Sequence, residues 1–98
     1  MDKEKLYNKW VLSAEDNGLK KFTPFNKESI GMPNIDTLEL DNYGNFIETT
    51  KIGKIHGRFN FEGGLLYLFY KNSYDDRIFI VKTLNENELV LYKKINPK

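Results

Sequence analysis

The stretch HGRFNFEGGLLYLFY, residues 56–70, constrains the fold more than any other part of the sequence. Its two halves are rich in aromatic and aliphatic residues, and only Gly63-Gly64 separates them, a pair that suits a two-residue hairpin turn. If the glycines form that turn, Glu62 lies opposite Leu65. Every later pair is then fixed, because side chains alternate between the two faces of a strand. The stretch therefore predicts an antiparallel hairpin of defined register.

The register assigns each large side chain of the hairpin to a face. One face places Gly57 opposite Tyr70, and we expect it to form the core. Its large side chains are those of Ile55, Phe59, Phe61, Leu66, Leu68 and Tyr70. On the other face Arg58 lies beside Phe69, which predicts a cation–π contact of about 0.5–1 kcal/mol. If nothing covers Tyr67 and Phe69, they form an apolar patch of the kind that marks contact surfaces on monomers.

Strand-like runs separated by turn signals recur along the rest of the chain. They cover residues 10–16, 19–23, 37–41, 45–52, 54–61, 65–71, 77–83 and 88–94. Short strands with tight connections are typical of an antiparallel meander, closed into a barrel or folded as a sandwich. We expect one all-β domain over residues 1–98, a small up-and-down antiparallel barrel of about seven or eight short strands.

Two segments depart from the strand pattern. Residues 2–10 predict a short helix, with Leu6, Tyr7 and Trp10 at helical spacing on one side. Residues 24–36 contain two prolines and little periodicity, and they predict a loop over the surface or over one mouth of the fold. Trp10 begins the first strand, where we expect it to plug one end of the barrel; stacking against a ligand is the alternative.

Glu48 is the one charged residue at a position expected to face inward. If residues 42–44 form a three-residue loop, Leu40 lies opposite Phe46 and Leu38 lies opposite Glu48. The same face continues through Thr50 and Ile52. An inward carboxylate is costly unless it is hydrogen-bonded or hydrated. Either the register is shifted by one residue, which is the interpretation we favour, or the barrel has a polar spot inside.

Charge balance and the absence of cysteine exclude several classes of function. The chain has 15 basic and 14 acidic side chains and a net charge of +1, which argues against binding to nucleic acid. Without cysteine there is no disulfide, thiol catalysis or thiolate metal site. No apolar run is long enough to span a bilayer. The start, MDKEKLYNKW, has no apolar signal core, so the sequence as written predicts a cytoplasmic protein; a removed N-terminal signal would make it periplasmic or lipid-anchored.

The sequence contains no motif for catalysis, metal binding or cofactor binding. His56 is the only histidine, it has no partner at metal-ligand spacing, and we expect it on the outer face of a strand. Paired acids, Asp75-Asp76 and Glu86/Glu88, occur in turn sequences, where we expect them to be turn formers rather than an acid–base pair. We therefore predict a protein without enzymatic activity and without a cofactor, monomeric or weakly dimeric.

Four segments of the chain resemble the bacterial lipocalin-like domains. They read KWVLSAED, LELDNYGNFIE, GRFNFEGGLLYLFY and IFIVKTLNENELVLYKK. Within them, Trp10 and the Gly57-x-Phe59 step match features of that family, and the resemblance covers most of the chain outside residues 24–36. It implies a small up-and-down barrel of about eight strands with a helix near one mouth. It implies little about function, because the matching motifs are folding motifs.

Two functions of different class fit such a barrel. In the first, the domain binds another protein through an edge, a mouth or the outer face at Arg58, Tyr67 and Phe69, in an inhibitor, immunity or accessory role. In the second, the interior carries a small hydrophobic ligand, with Glu48 as a polar anchor. The rings expected to line that interior are Trp10, Phe46, Phe59 and Tyr70.

Barrel size favours the first of these functions. Eight-stranded barrels with large inward side chains are readily filled by those side chains, so we favour protein binding. An enclosed, ring-lined void of roughly 300 Å³ or more would favour the carrier instead.

Overall fold

The chain folds as a closed antiparallel β-barrel. The computed structural model describes residues 3–26, 35–71 and 76–94. A 3-10 helix over Lys3–Leu6 precedes eight strands, which are β1 (Asn8–Asp16), β2 (Leu19–Pro24), β3 (Thr37–Leu40), β4 (Asn45–Thr50), β5 (Gly53–Glu62), β6 (Leu65–Tyr70), β7 (Arg77–Leu84) and β8 (Leu89–Lys93). The strand order around the barrel is β1-β2-β8-β7-β6-β5-β4-β3. The predicted all-β fold, its eight strands and its closure are confirmed.

The strand order departs from a strict up-and-down barrel at one place. Strands β3 to β8 are neighbours in sequence order, but β1 lies between β2 and β3. Trp10 pairs with Pro24 of β2 on one side and with Leu38 of β3 on the other. The end of β2 and the start of β3 therefore lie on opposite sides of β1, about 10 Å apart at the usual spacing of strands. The segment predicted as a loop over 24–36 is long enough to join them, whereas the connections of two to six residues elsewhere join strands that are neighbours in the barrel. Its residues 27–34 lie outside the described residues.

The β5–β6 hairpin has the predicted register. Glu62 pairs with Leu65, Phe59 with Leu68 and Gly57 with Tyr70. Gly63 and Gly64 have φ values of +59° and +76°, the left-handed conformation that both central positions of a type I′ turn require. Because glycine adopts this conformation without steric cost, the turn fixes which face each ring occupies.

Gly57 lies opposite Tyr70, as predicted, but the ring for which it makes room is that of Phe46. A Cβ atom at this position would lie 2.5 Å from Cε1 of Phe46 and would also clash with the carbonyl oxygen of Phe69. Phe46 is paired with Gly57 on the β4 side and lies across it. The Tyr70 ring then meets Phe46 edge to face, with centroids 5.1 Å apart and planes at 79°.

The predicted helix over residues 2–10 is confirmed only over Lys3–Leu6, and its extent is wrong. The structure has a four-residue 3-10 helix that ends at Leu6, and β1 begins at Asn8. From Asn8 onward the chain forms backbone hydrogen bonds with both β2 and β3. A two-turn helix lacks these bonds and is not stable by itself. Leu6 and Trp10 are nevertheless both buried in the core. The Trp10 indole N–H donates a hydrogen bond to the Leu6 carbonyl oxygen at 3.1 Å, which links the two residues. Residues 1 and 2 lie outside the described residues.

The barrel interior is packed with the protein's own side chains. The buried hydrophobic residues form one cluster, which comprises Leu6, Trp10, Phe22, Leu38, Leu40, Phe46, Phe59, Leu66, Leu68, Tyr70, Phe79, Val81, Leu89 and Leu91. Phe61, predicted for the core, is partly buried and packs against the cluster. Ile52, also predicted to face inward, is 86% exposed, because β4 ends at Thr50 and Ile52 belongs to the following turn.

Candidate binding surfaces

The two ends of the barrel differ in how they are closed. Antiparallel pairing places the starts of β1, β4, β6 and β8 at one end, together with the ends of β3, β5 and β7. We call this the sealed end, because its inward residues are among the most buried in the protein: Trp10, Leu40, Phe46, Leu66 and Leu89. The opposite end, where β1 and β4 end and β2, β5 and β7 begin, is called the mouth.

The rings proposed to line a ligand cavity are part of the packed core. Trp10 and Phe46 are at most 1% exposed, and Phe59 and Tyr70 are also buried. In the part of the chain that the structure describes, two cavities of about 210 Å³ each open at the mouth, and the one lined by Glu48 and Ile55 is called the mouth cavity. Each is smaller than the ring-lined void that would favour an apolar carrier. Trp10 therefore lies where a plug was expected, with its indole N–H satisfied by the protein itself.

The mouth cavity has charged groups among apolar side chains. Its lining comprises Leu12, Lys20, Phe22, Asp36, Thr37, Leu38, Glu48, Thr50, Ile52, Ile55 and Arg77. Ile55, expected in the core, faces inward but is 38% exposed at this opening. Lys20 is held by an ion pair, with its Nζ 3.4 Å from a carboxylate oxygen of Glu15.

Glu48 faces inward, and the favoured interpretation of a register error is wrong. Leu38 pairs with Glu48 and Leu40 pairs with Phe46, as the three-residue loop predicted. The Glu48 carboxylate is half-buried and accepts a hydrogen bond at 3.3 Å from the Tyr70 hydroxyl. A hydrogen bond and access to water at the mouth together make an inward carboxylate tolerable.

Tyr70 connects Glu48 to a residue that the sequence did not single out. The Arg77 guanidinium lies 5.0 Å from the centroid of the Tyr70 ring, a cation–π distance. Burial and then the Glu48 carboxylate raise the pKa of Tyr70 above its ordinary value, and Arg77 opposes part of the rise. Tyr70 therefore keeps its proton, and its hydroxyl donates a hydrogen bond to Glu48. Side chains alternate between the two faces of a strand, and Arg77 is two residues before the buried Phe79. The sequence pattern could therefore have predicted Arg77 on the inner face.

The outer face carries Tyr67 and Phe69, as predicted. Their rings stack with centroids 6.3 Å apart and planes 5° from parallel, and Phe69 is 42% exposed. Arg58 pairs with Phe69 across the strands, but the predicted cation–π contact is not among the contacts of the described residues. The Arg58 guanidinium instead donates a hydrogen bond to the Tyr43 carbonyl oxygen at 3.4 Å.

The apolar surface around these two rings extends over four neighbouring strands. Tyr67 pairs with Ile78, and Leu65 pairs with Ile80. Ile80 pairs with Tyr92, which in turn pairs with Leu19. We call this surface the outer stripe, and its members are Leu19, Leu65, Tyr67, Phe69, Ile78, Ile80 and Tyr92. Besides Phe69, the most exposed are Tyr92 at 39% and Leu19 at 38%.

Sequence reasoning found only the β6 part of the outer stripe. Tyr92 and Leu19 join it through the pairing of β8 with β2, which are distant in sequence. Their hydrophobicity was visible in the sequence, but their adjacency was not.

Other candidate groups do not converge on a site. His56 is exposed and pairs with Ile47 on the outer face, as expected. Within residues 3–26, 35–71 and 76–94, no group of three or more histidine, aspartate or glutamate side chains is arranged to hold a metal ion. Asp75 lies outside these residues. The described chain also contains no helix with the length and apolar character needed to cross a membrane.

Comparison with protein-family models, with curated proteins and with solved structures gave no match to this chain.

Proposed function

We propose that this protein is a non-catalytic binding domain that engages another protein through its outer stripe, in an inhibitor, immunity or accessory role. One contrast carries the proposal. The barrel interior is filled by its own side chains, while apolar side chains on the outside of four adjacent strands are exposed or half-buried. We also propose that the domain is lipocalin-like. The closed eight-stranded barrel is compatible with that family, although β1 lies between β2 and β3.

The composition of the outer stripe supports a protein partner. It combines two tyrosines and a phenylalanine with aliphatic residues, and aromatic side chains are enriched where protein interfaces gain most of their binding energy. Single exposed apolar residues are common on protein surfaces, but a contiguous group across four strands is the pattern associated with interaction sites. Charged residues of both signs border it, including Arg58, Lys82 and Glu62, as in the polar rim of an interface.

Carriage of an apolar ligand receives less support. Phe46, Phe59 and Tyr70 pack against one another and their neighbours, so a ligand among them would have to displace core side chains. Displacing packed side chains costs several kcal/mol, which a small ligand must first offset.

Photo-crosslinking in cells of the organism that encodes the chain tests the proposal. A photoreactive phenylalanine analogue is placed at Phe69 or Tyr92 in the outer stripe. Tyr43 is the matched control, because it is aromatic, 77% exposed and located in the β3–β4 turn at the sealed end. We expect one protein to be crosslinked from both stripe positions and not from Tyr43. The purified partner should then bind the domain, and Phe69→Glu should weaken that binding at least tenfold.

Three results would contradict the proposal. Crosslinks that are the same at Tyr43 as in the stripe would mean that the stripe is not a specific surface. Crosslinks only to a second copy of the chain would replace a partner protein with self-association. A partner whose affinity is unchanged by Phe69→Glu would have to bind elsewhere.

A further inference from the structure

Four charged residues line the mouth cavity, namely Lys20, Asp36, Glu48 and Arg77. Lys20 is paired with Glu15, which leaves Glu48 and Arg77 as the opposite charges nearest Tyr70. Among the described residues, no ion pair joins Glu48 and Arg77. Tyr70 interacts with both groups, because its hydroxyl donates a hydrogen bond to Glu48 and Arg77 lies against the same side chain. Glu48 and Arg77 can therefore each interact with an opposite charge on a ligand. The interaction at Glu48 is stronger than in bulk water because its carboxylate is half-buried, whereas Arg77 is exposed.

The rest of the lining is suited to a small aliphatic group. Leu12, Phe22 and Leu38 face the cavity from β1, β2 and β3, and Ile55 faces it from β5. At about 30 Å³ for each water, a volume of 210 Å³ corresponds to roughly seven waters. A ligand that fills it therefore has about seven non-hydrogen atoms or slightly more, because bonded atoms lie closer together than separate waters.

We propose that the mouth is a binding site for a small zwitterion, a free α-amino acid with an aliphatic side chain such as leucine or valine. Its carboxylate would bind Arg77, whose planar guanidinium suits bidentate contact with a carboxylate. Its ammonium group would bind Glu48, and its side chain would lie against Leu12 and Leu38. This site is separate from the outer stripe, so it goes beyond the protein-binding function.

Simpler ligands fit these charges less well. An apolar ligand would remove water from Glu48 and Arg77 without replacing it, which is costly for charged groups. A plain anion would bind Arg77 but would place its own charge near the Glu48 carboxylate. Only a ligand with both signs of charge provides a partner for each.

Titration of the full chain, followed through its backbone amide NMR signals, tests the proposal with three matched probes. L-leucine carries both charges, 4-methylpentanoate lacks the ammonium group, and isoamylamine lacks the carboxylate. We expect L-leucine to bind with a dissociation constant on the order of a millimolar or lower. Its shifts should be confined to mouth residues such as Thr50 and Ile55, and both analogues should bind at least tenfold more weakly. L-tryptophan, which is too large for the cavity, should not bind.

Variants test whether Arg77 and Glu48 each contribute to the binding of L-leucine. Arg77→Gln and Glu48→Gln should each weaken L-leucine binding at least tenfold, whereas Lys82→Gln, which lies beside Tyr92 of the outer stripe, should not change it. The absence of shifts at 20 mM L-leucine would overturn the proposal, and so would equal binding of the two analogues. Because the analogue comparison uses the unaltered protein, it remains decisive if a variant fails to fold. Crosslinking from Phe69 or Tyr92 does not depend on these results, so failure of this proposal and failure of the protein-binding proposal can be distinguished.

Discussion

The sealed end and the mouth are built from the same eight strands, yet they differ in what their inward positions hold. At the sealed end Trp10, Leu40 and Leu89 are at most 2% exposed, and the indole N–H is bonded to the Leu6 carbonyl. At the mouth, Glu48 and Arg77 take inward positions, and a cavity of about 210 Å³ remains between side chains.

This difference shows how a narrow barrel can be filled and still offer a site. Apolar inward residues interdigitate to high density, because nothing is lost when water leaves them. A charged inward residue has to stay close to water or to a polar partner, so side chains are not closely packed around Glu48 and Arg77. The core therefore supplies stability at one end, while the other end keeps a cavity that is accessible to water.

The largest expected effect is at the sealed end. Trp10→Ala should lower the free energy of unfolding by about 3–5 kcal/mol, because it removes a fully buried ring and leaves a cavity. Urea unfolding followed by circular dichroism measures the change, since the only tryptophan is lost. Tyr43→Ala, at an exposed position, should change it by no more than about 0.5 kcal/mol. A cost below about 1 kcal/mol for Trp10→Ala would mean that Trp10 does not close this end.

A smaller effect is expected when the mouth is made apolar. Glu48→Leu should leave the free energy of unfolding within about 1 kcal/mol of the wild type, because the lost bond from Tyr70 is offset by removing a half-buried carboxylate. Glu39→Leu, on the exposed outer face of β3, is the control for the general effect of this substitution. Destabilisation by more than about 2 kcal/mol at Glu48 alone would show that the carboxylate is required for folding rather than tolerated.

The smallest expected effect is a pH dependence at the mouth. The pKa of Tyr70 is raised above its usual value of 10.0 in the folded protein, so the fold favours the protonated phenol. That contribution is complete below pH 10 and is lost as the pH rises further, because the unfolded chain ionises first. Wild type should therefore lose stability relative to Tyr70→Phe between pH 9 and pH 11, as measured by urea unfolding of both proteins. If the difference in free energy of unfolding between the two proteins stays constant from pH 9 to pH 11, folding does not raise the pKa of Tyr70.

Local sequence patterns determined much of the barrel. The Gly63-Gly64 turn set the β5–β6 register, and the loop before β4 placed Glu48 opposite Leu38, both as found. These predictions succeed because a tight turn and the two-residue alternation of a strand leave one arrangement. The same local argument did not say whether an inward Glu48 could be tolerated, which depends on Tyr70, 22 residues away.

Other predictions failed where distant segments compete with local preference. The spacing of Leu6, Tyr7 and Trp10 fits a helix, but the helix ends at Leu6, and pairing of β1 with both β2 and β3 makes the segment a strand from Asn8 onward. Likewise, Arg58 forms a hydrogen bond to Tyr43 rather than a contact with the adjacent Phe69 ring, a choice set by the preceding hairpin.

Local patterns in the sequence predicted most of the strands, their turns and the apolar face of the β5–β6 hairpin, because these follow from interactions between residues close along the chain. The position of β1 between β2 and β3, and the pairing of β8 with β2 that closes the barrel, became visible only in the folded molecule. That closure assembles the outer stripe and brings Arg77, Tyr70 and Glu48 to one mouth. Pairing between distant strands depends on loop paths and on the packing of the whole core, which no local pattern encodes.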